Sequence, residues 1–564
     1  MPDDDIGPLV ERYALDNALA HGGKADMKAV MNKVLSERAD LRPKAKELVP
    51  RIKAVVDDVN TLDHAAQEKR LTELGGPTQV KKVELRQGLP PLEGAEQGKV
   101  VMRFAPGPSG PLHIGNTRAA ILNDEYCKMY KGQFINRIED TDPDRIMPEA
   151  YDWIPEDLRW LGIKIDRTVV QSDRFEQYFD HAKKLLEMGH AYVCTCKPDD
   201  WRELKNKKQA CPHREQAPNE QLDRWEKMRS GHYAQEQAVL VVKTDLGHPN
   251  PAIRDWPAVR ICETPHPKLG TKYRIYPLMN FSVALDDHLL GLTHVLRGKD
   301  HLNNTYRQEY LYKYFGWKMP VYIHYGRVVI EGLELSKSKM KAGIDEGRYK
   351  GWDDPRLGSM KALAKRGIEP DAIRKYWVQV GPKQVDIEFS WQTLFSYNKE
   401  LVDPKANRYF FVEDPRLVRI EGKGSEELVG HAPLLPSDPS KGVRLVRVTG
   451  KDGVLLPGKE LADIGTGTVV RLKDLGNIRL RSQEVGDYIG NELSVLKEGA
   501  KILHWVHPKD NIEAVVHMPD GKDILGKCEI RTGESHGRVV QFERFGFVRI
   551  EARDGRLEGW FAHK

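Results

Sequence analysis

The sequence predicts a multidomain α/β protein: a doubly wound parallel sheet split by an insertion, preceded by a helical domain and followed by antiparallel β-barrels. Three observations carry this. Val100-Val101-Met102 reads as an interior strand, followed by a glycine-rich turn and a helix opened by Thr117-Arg118-Ala119-Ala120-Ile121-Leu122. The first hundred residues carry apolar stripes at helical spacing. Residues 403–564 carry short alternating runs cut by Asp-Gly turns.

Residues 1–97 form the N-terminal helical domain. Ile6, Leu9, Val10, Tyr13 and Ala14 repeat at i, i+3, i+4, i+7 and i+8, as do Met27, Val30, Met31, Val34 and Leu35, so each stripe buries one helix face. Gly75-Gly76-Pro77 and the proline- and glycine-rich stretch from Gly88 to Gly98 read as a linker. Residues 98–173 alternate strand and helix as the first half of a Rossmann-like sheet. Residues 174–272, polar and cysteine-bearing, are the insertion, and 273–344 resume the sheet. The split leaves loops at the carboxyl ends of strands, beside the switch point where ligands bind such folds. Residues 345–402 are a helical connection in which Pro370-Asp371-Ala372-Ile373-Arg374 is a proline-led helix start. Beyond it, Thr468-Val469-Val470-Arg471-Leu472, Ile502-Leu503-His504-Trp505-Val506 and Val539-Val540-Gln541-Phe542 are strands, punctuated by Asp452-Gly453, Asp520-Gly521 and Asp554-Gly555.

A chain of 564 residues exceeds one core and predicts about three to five domains. Its 88 Lys and Arg against 83 Asp and Glu leave a net charge of +5, so any basic surface for nucleic acid is local. No apolar run is long enough to span a bilayer. The start Met1-Pro2-Asp3-Asp4-Asp5 is acidic where a secretory leader is basic, so a cytoplasmic protein is expected. Six cysteines are too few for a disulfide framework at this length.

The chemistry-bearing residues fall in three places. Arg103-Phe104-Ala105-Pro106-Gly107-Pro108-Ser109-Gly110-Pro111-Leu112-His113-Ile114-Gly115-Asn116 puts a glycine-rich, histidine-bearing loop at a helix start, whose unpaired N–H groups and positive dipole end favour a nucleotide phosphate. His113 can donate to a phosphate oxygen there, and Gly115 lets the backbone approach a ribose or base. Further on, Glu334-Leu335-Ser336-Lys337-Ser338-Lys339 is a lysine- and serine-bearing loop able to close over phosphates. Third, Cys194-Thr195-Cys196 and Cys211-Pro212-His213 are two short ligand pairs that can converge on one tetrahedral zinc; the alternative is unpaired thiols in a loop-rich insertion.

In order and separation the two loops resemble the H-I-G-H and K-M-S-K-S signatures of class I aminoacyl-tRNA synthetases. Arg137-Ile138-Glu139-Asp140-Thr141-Asp142, the segment Leu285 to Gly298 and Gln541-Phe542-Glu543-Arg544-Phe545-Gly546-Phe547-Val548 extend the likeness over residues 98–564 to the glutamyl and glutaminyl subgroup, most closely its archaeal glutamyl type. The resemblance implies a glutamate–tRNA ligase: ATP-dependent formation of glutamyl-adenylate, then transfer to the 3′ end of tRNA-Glu and also tRNA-Gln, by a monomer. It implies catalytic roles for His113, Asn116 and Lys337. It places Gly115, Ser336, Lys337 and Ser338 on ATP, Arg103, Ala105, Glu139 and Arg297 on glutamate, Mg2+ on the leaving pyrophosphate, and Zn2+ on Cys194, Cys196, Cys211 and His213. Glutaminyl-tRNA synthetase is the alternative, but its position matching Arg297 resembles a neutral cysteine, so arginine favours the acid over its amide. Three departures stand out: Asn116 replaces the second signature histidine, Glu334 the first signature lysine, and Met279 a tyrosine common in the family. Asparagine can still donate through its amide, whereas glutamate cannot replace a cation, which shifts the catalytic expectation onto Lys337.

Overall fold

The computed structural model describes residues 6–20, 22–38, 40–41, 45–74, 88–424, 426–553 and 555–564. Met1 to Asp5, the Gly75-Gly76-Pro77 part of the expected linker and Asp554 lie outside them. The chain divides into two units, Met1–Gln87 and Gly88–Lys564.

The first unit is helical: α1 (Gly7–Ala20), α2 (Met27–Glu37), α3 (Ala45–Val59) and α4 (His64–Glu73). The stripes meet in one core, with Ile6, Val10, Tyr13, Ala14, Val30 and Val34 buried against Ile52, Val56 and Leu71. Asp26 and Asp63 start α2 and α4, each accepting the N–H three residues on, Ala29 and Ala66, at 2.8 Å. Gln67 is fully buried and donates to the carbonyls of Gly23 (2.9 Å) and Val59 (3.0 Å), which satisfies backbone groups that the helix ends leave unpaired.

In the second unit, β1 (Val101–Phe104), α5 (Ile114–Met129), β2 (Gln133–Ile138), α6 (Ala150–Trp160) and β3 (Arg167–Val170) wind a parallel sheet in the order β1-β2-β3. After α7 (Phe175–Glu187) the chain leaves it through β4 (Ala191–Cys194), α8 (Pro198–Asn206), α9 (Pro218–Arg229), β5 (Val239–Val242), β6 (Trp256–Ile261) and β7 (Ile275–Pro277), an antiparallel sheet in chain order. Ile275–Pro277, which a boundary at residue 272 puts in the resumed parallel sheet, thus closes the insertion instead. A short buried run does not encode its partner's direction.

The parallel sheet resumes with α10 (Met279–Leu289), β8 (His294–Gly298), α11 (Leu302–Phe315) and β9 (Val321–Tyr325), where β8 and β9 are parallel. Thr293 N donates to Val101 O at 3.0 Å and Arg103 Nη1 to Leu296 O at 3.3 Å, so β8 lies beside β1. The order is therefore β3-β2-β1-β8-β9, with the switch point between β1 and β8.

The connection follows with β10 (Val328–Val329), α12 (Lys337–Asp345), α13 (Met360–Lys365), α14 (Pro370–Val380), β11 (Ile387–Glu388) and α15 (Trp391–Val402). It packs on α5: Trp377 Nε1 donates to Thr117 Oγ1 at 3.0 Å, and the buried Arg118 guanidinium reaches Gly326 O (2.8 Å) and Gly381 O (2.7 Å).

The last region is β12 (Arg408–Tyr409), β13 (Phe411–Glu413), β14 (Pro415–Glu421), β15 (Glu427–Pro433), β16 (Val443–Thr449), β17 (Val454–Pro457), β18 (Val469–Leu472), β19 (Gly476–Leu480), β20 (Val485–Gly490), β21 (Lys501–Leu503), β22 (Asn511–His517), β23 (Asp523–Glu529), β24 (Val539–Phe542), β25 (Gly546–Arg553) and β26 (Arg556–His563). One sheet runs β12-β24-β25-β26-β22-β23-β13. Its two edge strands are separated in the chain only by Phe410, so it curls into a nearly closed barrel. The other runs β17-β14-β20-β19-β18-β21, and β15 and β16 form a hairpin beside it. Pairing is mostly antiparallel, with β12–β24, β14–β20, β18–β21 and β22–β26 parallel. Trp505 is buried in the core of the second of these sheets, and Phe547 in the cluster that also holds Met360, Ile373 and Trp377 of the connection.

Candidate active site

At the carboxyl ends of β1 and β8 lies a cavity of about 340 Å³ whose wall includes Arg103, Ala105, Asn116, Glu139, Arg297 and Lys337. Two distant loops meet here, with Lys337 Nζ donating to Gly110 O at 3.1 Å and Gly358 bridging Ile114 and Glu334 through its backbone. Gly110 has φ +135°, a conformation that favours glycine, and its α-carbon faces the Lys337 stem and the Trp352 ring. The α5 helix opens onto the cavity three residues earlier than the pattern from Thr117 suggests, with His113 as its capping residue. His113 Nδ1 accepts from Gly115 N–H at 3.2 Å, and Asn116 Oδ1 accepts from His113 N–H at 3.0 Å.

Electrostatics at this end are set by burial. Desolvation, with Lys337 adding to it, pulls His113 down to about 4, so the ring is neutral at pH 7. With Nδ1 accepting, the ring proton sits on Nε2, where it is a free donor. Burial pulls Lys337 down to about 8, partly opposed by Asp157, and pushes Asp157 up to about 7. Asp157 is buried on α6 and accepts from Leu112 N–H at 2.7 Å, bracing the turn from below.

The opposite wall holds arginines. Arg137 donates from Nη1 to Asp287 Oδ1 (2.6 Å) and from Nη2 to Glu139 Oε1 (2.9 Å), and Arg103 Nε stands 3.7 Å from the same Asp287 oxygen. Burial pushes Glu139 up, while Arg137 and Arg103 oppose it. Arg297 is 7% exposed; its Nη2 donates to Thr305 Oγ1 (2.6 Å) and Gln308 Oε1 (2.9 Å), and its plane lies 4.7 Å from the centre of the Tyr322 ring. Three cations and one carboxylate around one cavity suit a ligand rich in negative charge that also carries an amine.

In the insertion, the ligand atoms of Cys194, Cys196, Cys211 and His213 lie within 4.8 Å of one another. Cys194 Sγ is 3.8 Å from Cys211 Sγ, and His213 Nδ1 is 3.7 Å from Cys194 Sγ and 3.4 Å from Cys196 Sγ. Zinc bond lengths on a tetrahedron imply S···S of about 3.8 Å and S···N of about 3.6 Å, so the four residues fit a zinc ion. Thr195 Oγ1 lies 3.0 Å from His213 Nε2 and orients the ring from outside the cluster.

Residues 99–404 match the family of tRNA synthetases class I (E and Q), catalytic domain, and residues 406–495 match the anticodon-binding domain of the same class. The glutamate–tRNA ligase of Thermococcus kodakarensis is 47% identical over 578 aligned positions that cover both chains completely. That of Pyrococcus abyssi is 48% identical over 577, covering 99% of this chain and 100% of the relative. That of Methanopyrus kandleri is 46% identical over 575, again covering both completely. The chain belongs to the class I tRNA synthetases of the glutamate and glutamine type.

Set against the signatures of that family, the two departures have structural accounts. Asn116 closes the capping turn of α5 with its carbonyl oxygen. Glu334 braces the second loop: its Oε1 accepts from Leu335 N–H (3.0 Å) and Ser336 N–H (2.8 Å). Of that loop only Lys337 reaches the cavity wall. Ser336 caps α12, its Oγ accepting from Lys339 N–H at 3.5 Å and lying 3.1 Å from Ser338 Oγ; Ser338 is exposed. His113 and Gly115 stand just outside the wall. A Cβ on Gly115 would come within 3.2 Å of the His113 ring, so this glycine makes room for the imidazole. Met279 lines the cavity where the family's tyrosine is expected. Asp157, Thr305, Gln308 and Tyr322 escape a motif reading. Thr305 and Gln308 share one face of α11 at i, i+3 and follow Arg297 closely, which is the one local signal they carry.

Proposed function

We infer that this chain is a glutamate–tRNA ligase, which activates L-glutamate with ATP and then esterifies the 3′ end of tRNA-Glu. The observation that carries the reading is Arg297: a buried guanidinium on the cavity wall opposite Lys337, in a chain whose full-length relatives are glutamate–tRNA ligases. Arg297 and Arg103 take the two carboxylates of glutamate, Glu139 its ammonium, and Ala105 leaves room between them. The ATP phosphates lie against the N-terminus of α5, with His113 Nε2–H, Asn116, Gly115 and the second loop, Ser336, Lys337 and Ser338, around them.

A glutamate α-carboxylate oxygen attacks the α-phosphorus and the bond to pyrophosphate breaks. The carboxylate is already a nucleophile and needs no general base, so the residues align two anions and hold developing charge. Mg2+ bound with ATP would supply further charge neutralisation as pyrophosphate leaves. A hydroxyl of the tRNA terminal ribose then attacks the carbonyl carbon of the adenylate. The ester forms as the bond to phosphate breaks, and AMP leaves with the hydroxyl proton passing to its phosphate or to water.

Zn2+ belongs to this reading as a structural ion on Cys194, Cys196, Cys211 and His213. Metal analysis of purified protein should return about one zinc per chain, and Cys211→Ser should lose it. So do the domain boundaries set out from the sequence, with the insertion carried on through β7 to Pro277, a monomeric state and a cytoplasmic location; among the described residues no helix is long and apolar enough to cross a membrane. Arg297 speaks against glutaminyl-tRNA synthetase, because an amide leaves the guanidinium without a counter-charge. ATP–pyrophosphate exchange with glutamate and with glutamine, each with and without tRNA, tests the activation step; exchange driven by glutamine alone sinks it. Aminoacylation of purified tRNA-Glu and tRNA-Gln decides whether both are charged, as we propose.

A further inference from the structure

Buried and half-buried arginines in the second unit are held in two ways. Arg137, Arg174 and Arg214 pair with carboxylates of Asp287 (2.6 Å), Asp286 (2.7 Å) and Asp255 (2.9 Å). Arg118 and Arg366 donate to backbone carbonyls, and neither lines the cavity. Arg297 does neither: among the described residues it has no ion pair, and its partners are a hydroxyl, an amide oxygen and an aromatic face. Both Nη2 protons are used by Thr305 and Gln308, and Nη1 makes no hydrogen bond to a described residue, so it is left for a ligand.

Gln308 is the informative partner. It is fully buried, and while its Oε1 accepts from Arg297, its Nε2 is buried without a partner. A glutamate of the same shape would remove that orphaned N–H and give Arg297 a carboxylate, so the amide is the less stable choice for the free protein. We propose that Gln308 is a specificity-determining positioning residue: it holds Arg297 through a neutral oxygen so that the guanidinium charge stays available for the side-chain carboxylate of the amino-acid substrate. The proposal rests on the assignment of Arg297 to that carboxylate. Thr305 supports it in the same neutral manner, its hydroxyl lying 2.9 Å from His324 Nε2.

The test is Gln308→Glu beside Gln308→Met and Arg297→Cys, assayed by amino-acid-dependent ATP–pyrophosphate exchange and thermal melting. Gln308→Glu should raise the glutamate KM by about 30-fold with kcat and the ATP KM within about threefold, lower the preference for glutamate over glutamine at least tenfold, and melt no lower than the parent. Gln308→Met, which removes the hydrogen bond but adds no charge, should raise the glutamate KM by about threefold to tenfold and keep the preference. An unchanged glutamate KM in Gln308→Glu, a lower melting temperature for it, or equal losses of preference in both Gln308 variants overturns the proposal. If Arg297→Cys leaves glutamate kcat/KM unchanged, the carboxylate site itself is misplaced; if Arg297→Cys loses it while Gln308→Glu is silent, only the role of Gln308 falls.

Discussion

The barrel junction around Arg444 and the cavity around Arg297 treat a buried guanidinium in opposite ways. Arg444 is 1% exposed, and its donors are spoken for: Nε reaches both oxygens of Glu529 (3.0 and 2.8 Å), Nη1 the Pro433 carbonyl (2.8 Å) and Nη2 Glu543 (3.4 Å), with the Phe410 ring 4.7 Å away. Around the cavity, by contrast, Arg297 lacks a carboxylate, Lys337 is pulled to about 8, His113 to about 4, and Asp157 is pushed to about 7. Charges in the barrels complete a fold. Those in the cavity are held below their best stability, which is what a site awaiting anionic ligands requires.

The comparison breaks most sharply at its completed end. Arg444→Met should strand the half-buried carboxylates of Glu529 and Glu543 and cost about 3 kcal/mol of stability or more. Thermal unfolding followed through the fluorescence of Trp505, which packs on Phe410, should report it, while glutamate activation at low temperature persists. At the cavity the pattern should invert. Lys337→Ala should lower kcat for pyrophosphate exchange about 10²- to 10³-fold, or about 3–4 kcal/mol, with no loss of melting temperature, because the lysine is desolvated without a carboxylate at bonding distance. A variant that melts early with near-normal kcat would make Lys337 a packing residue.

What the sequence disclosed follows the same division. The strand, glycine turn and helix at 100–122 are local and readable, and the helical stripes of α1 and α2 bury as their periodicity dictates. The start of α5 is misread by three residues because histidine is not among the usual capping side chains, so nothing before Thr117 advertises a helix. Arg103, Glu139 and Arg297 stand apart in sequence and carry no local pattern; only the resemblance singles them out, and the sheet order brings them onto one wall. Gln308 and Asp157 were not legible, since the meaning of each depends on a partner more than ten residues away. The same limit applies to β7 and to the parallel strand pairs of the barrels: alternation declares which face is buried but not which neighbour lies alongside.

Asp157 gives the mildest and most specific test. Its carboxyl titrates near 4 in the unfolded chain and at about 7 when buried, so the folded form binds the extra proton, and stability falls as pH rises from about 4 to about 7. Above that window the displacement amounts to about 4 kcal/mol of lost stability. Asp157→Asn keeps an oxygen for Leu112 N–H but buries an unpaired amide costing about 2 kcal/mol, so the variant should gain about 2 kcal/mol at pH 8 and become the less stable protein at pH 4. A stability difference that does not change between those pH values would show that the carboxyl titrates alike in the folded and unfolded chain, so that burial does not raise it. The gain should come at the expense of the reaction: without the carboxylate that holds Lys337 up, the lysine deprotonates below about 8, and activation should fall off at pH 8 more steeply than at pH 6.5. A buried acid that weakens the fold while keeping a neighbouring ammonium charged belongs with the cavity and not with the barrels.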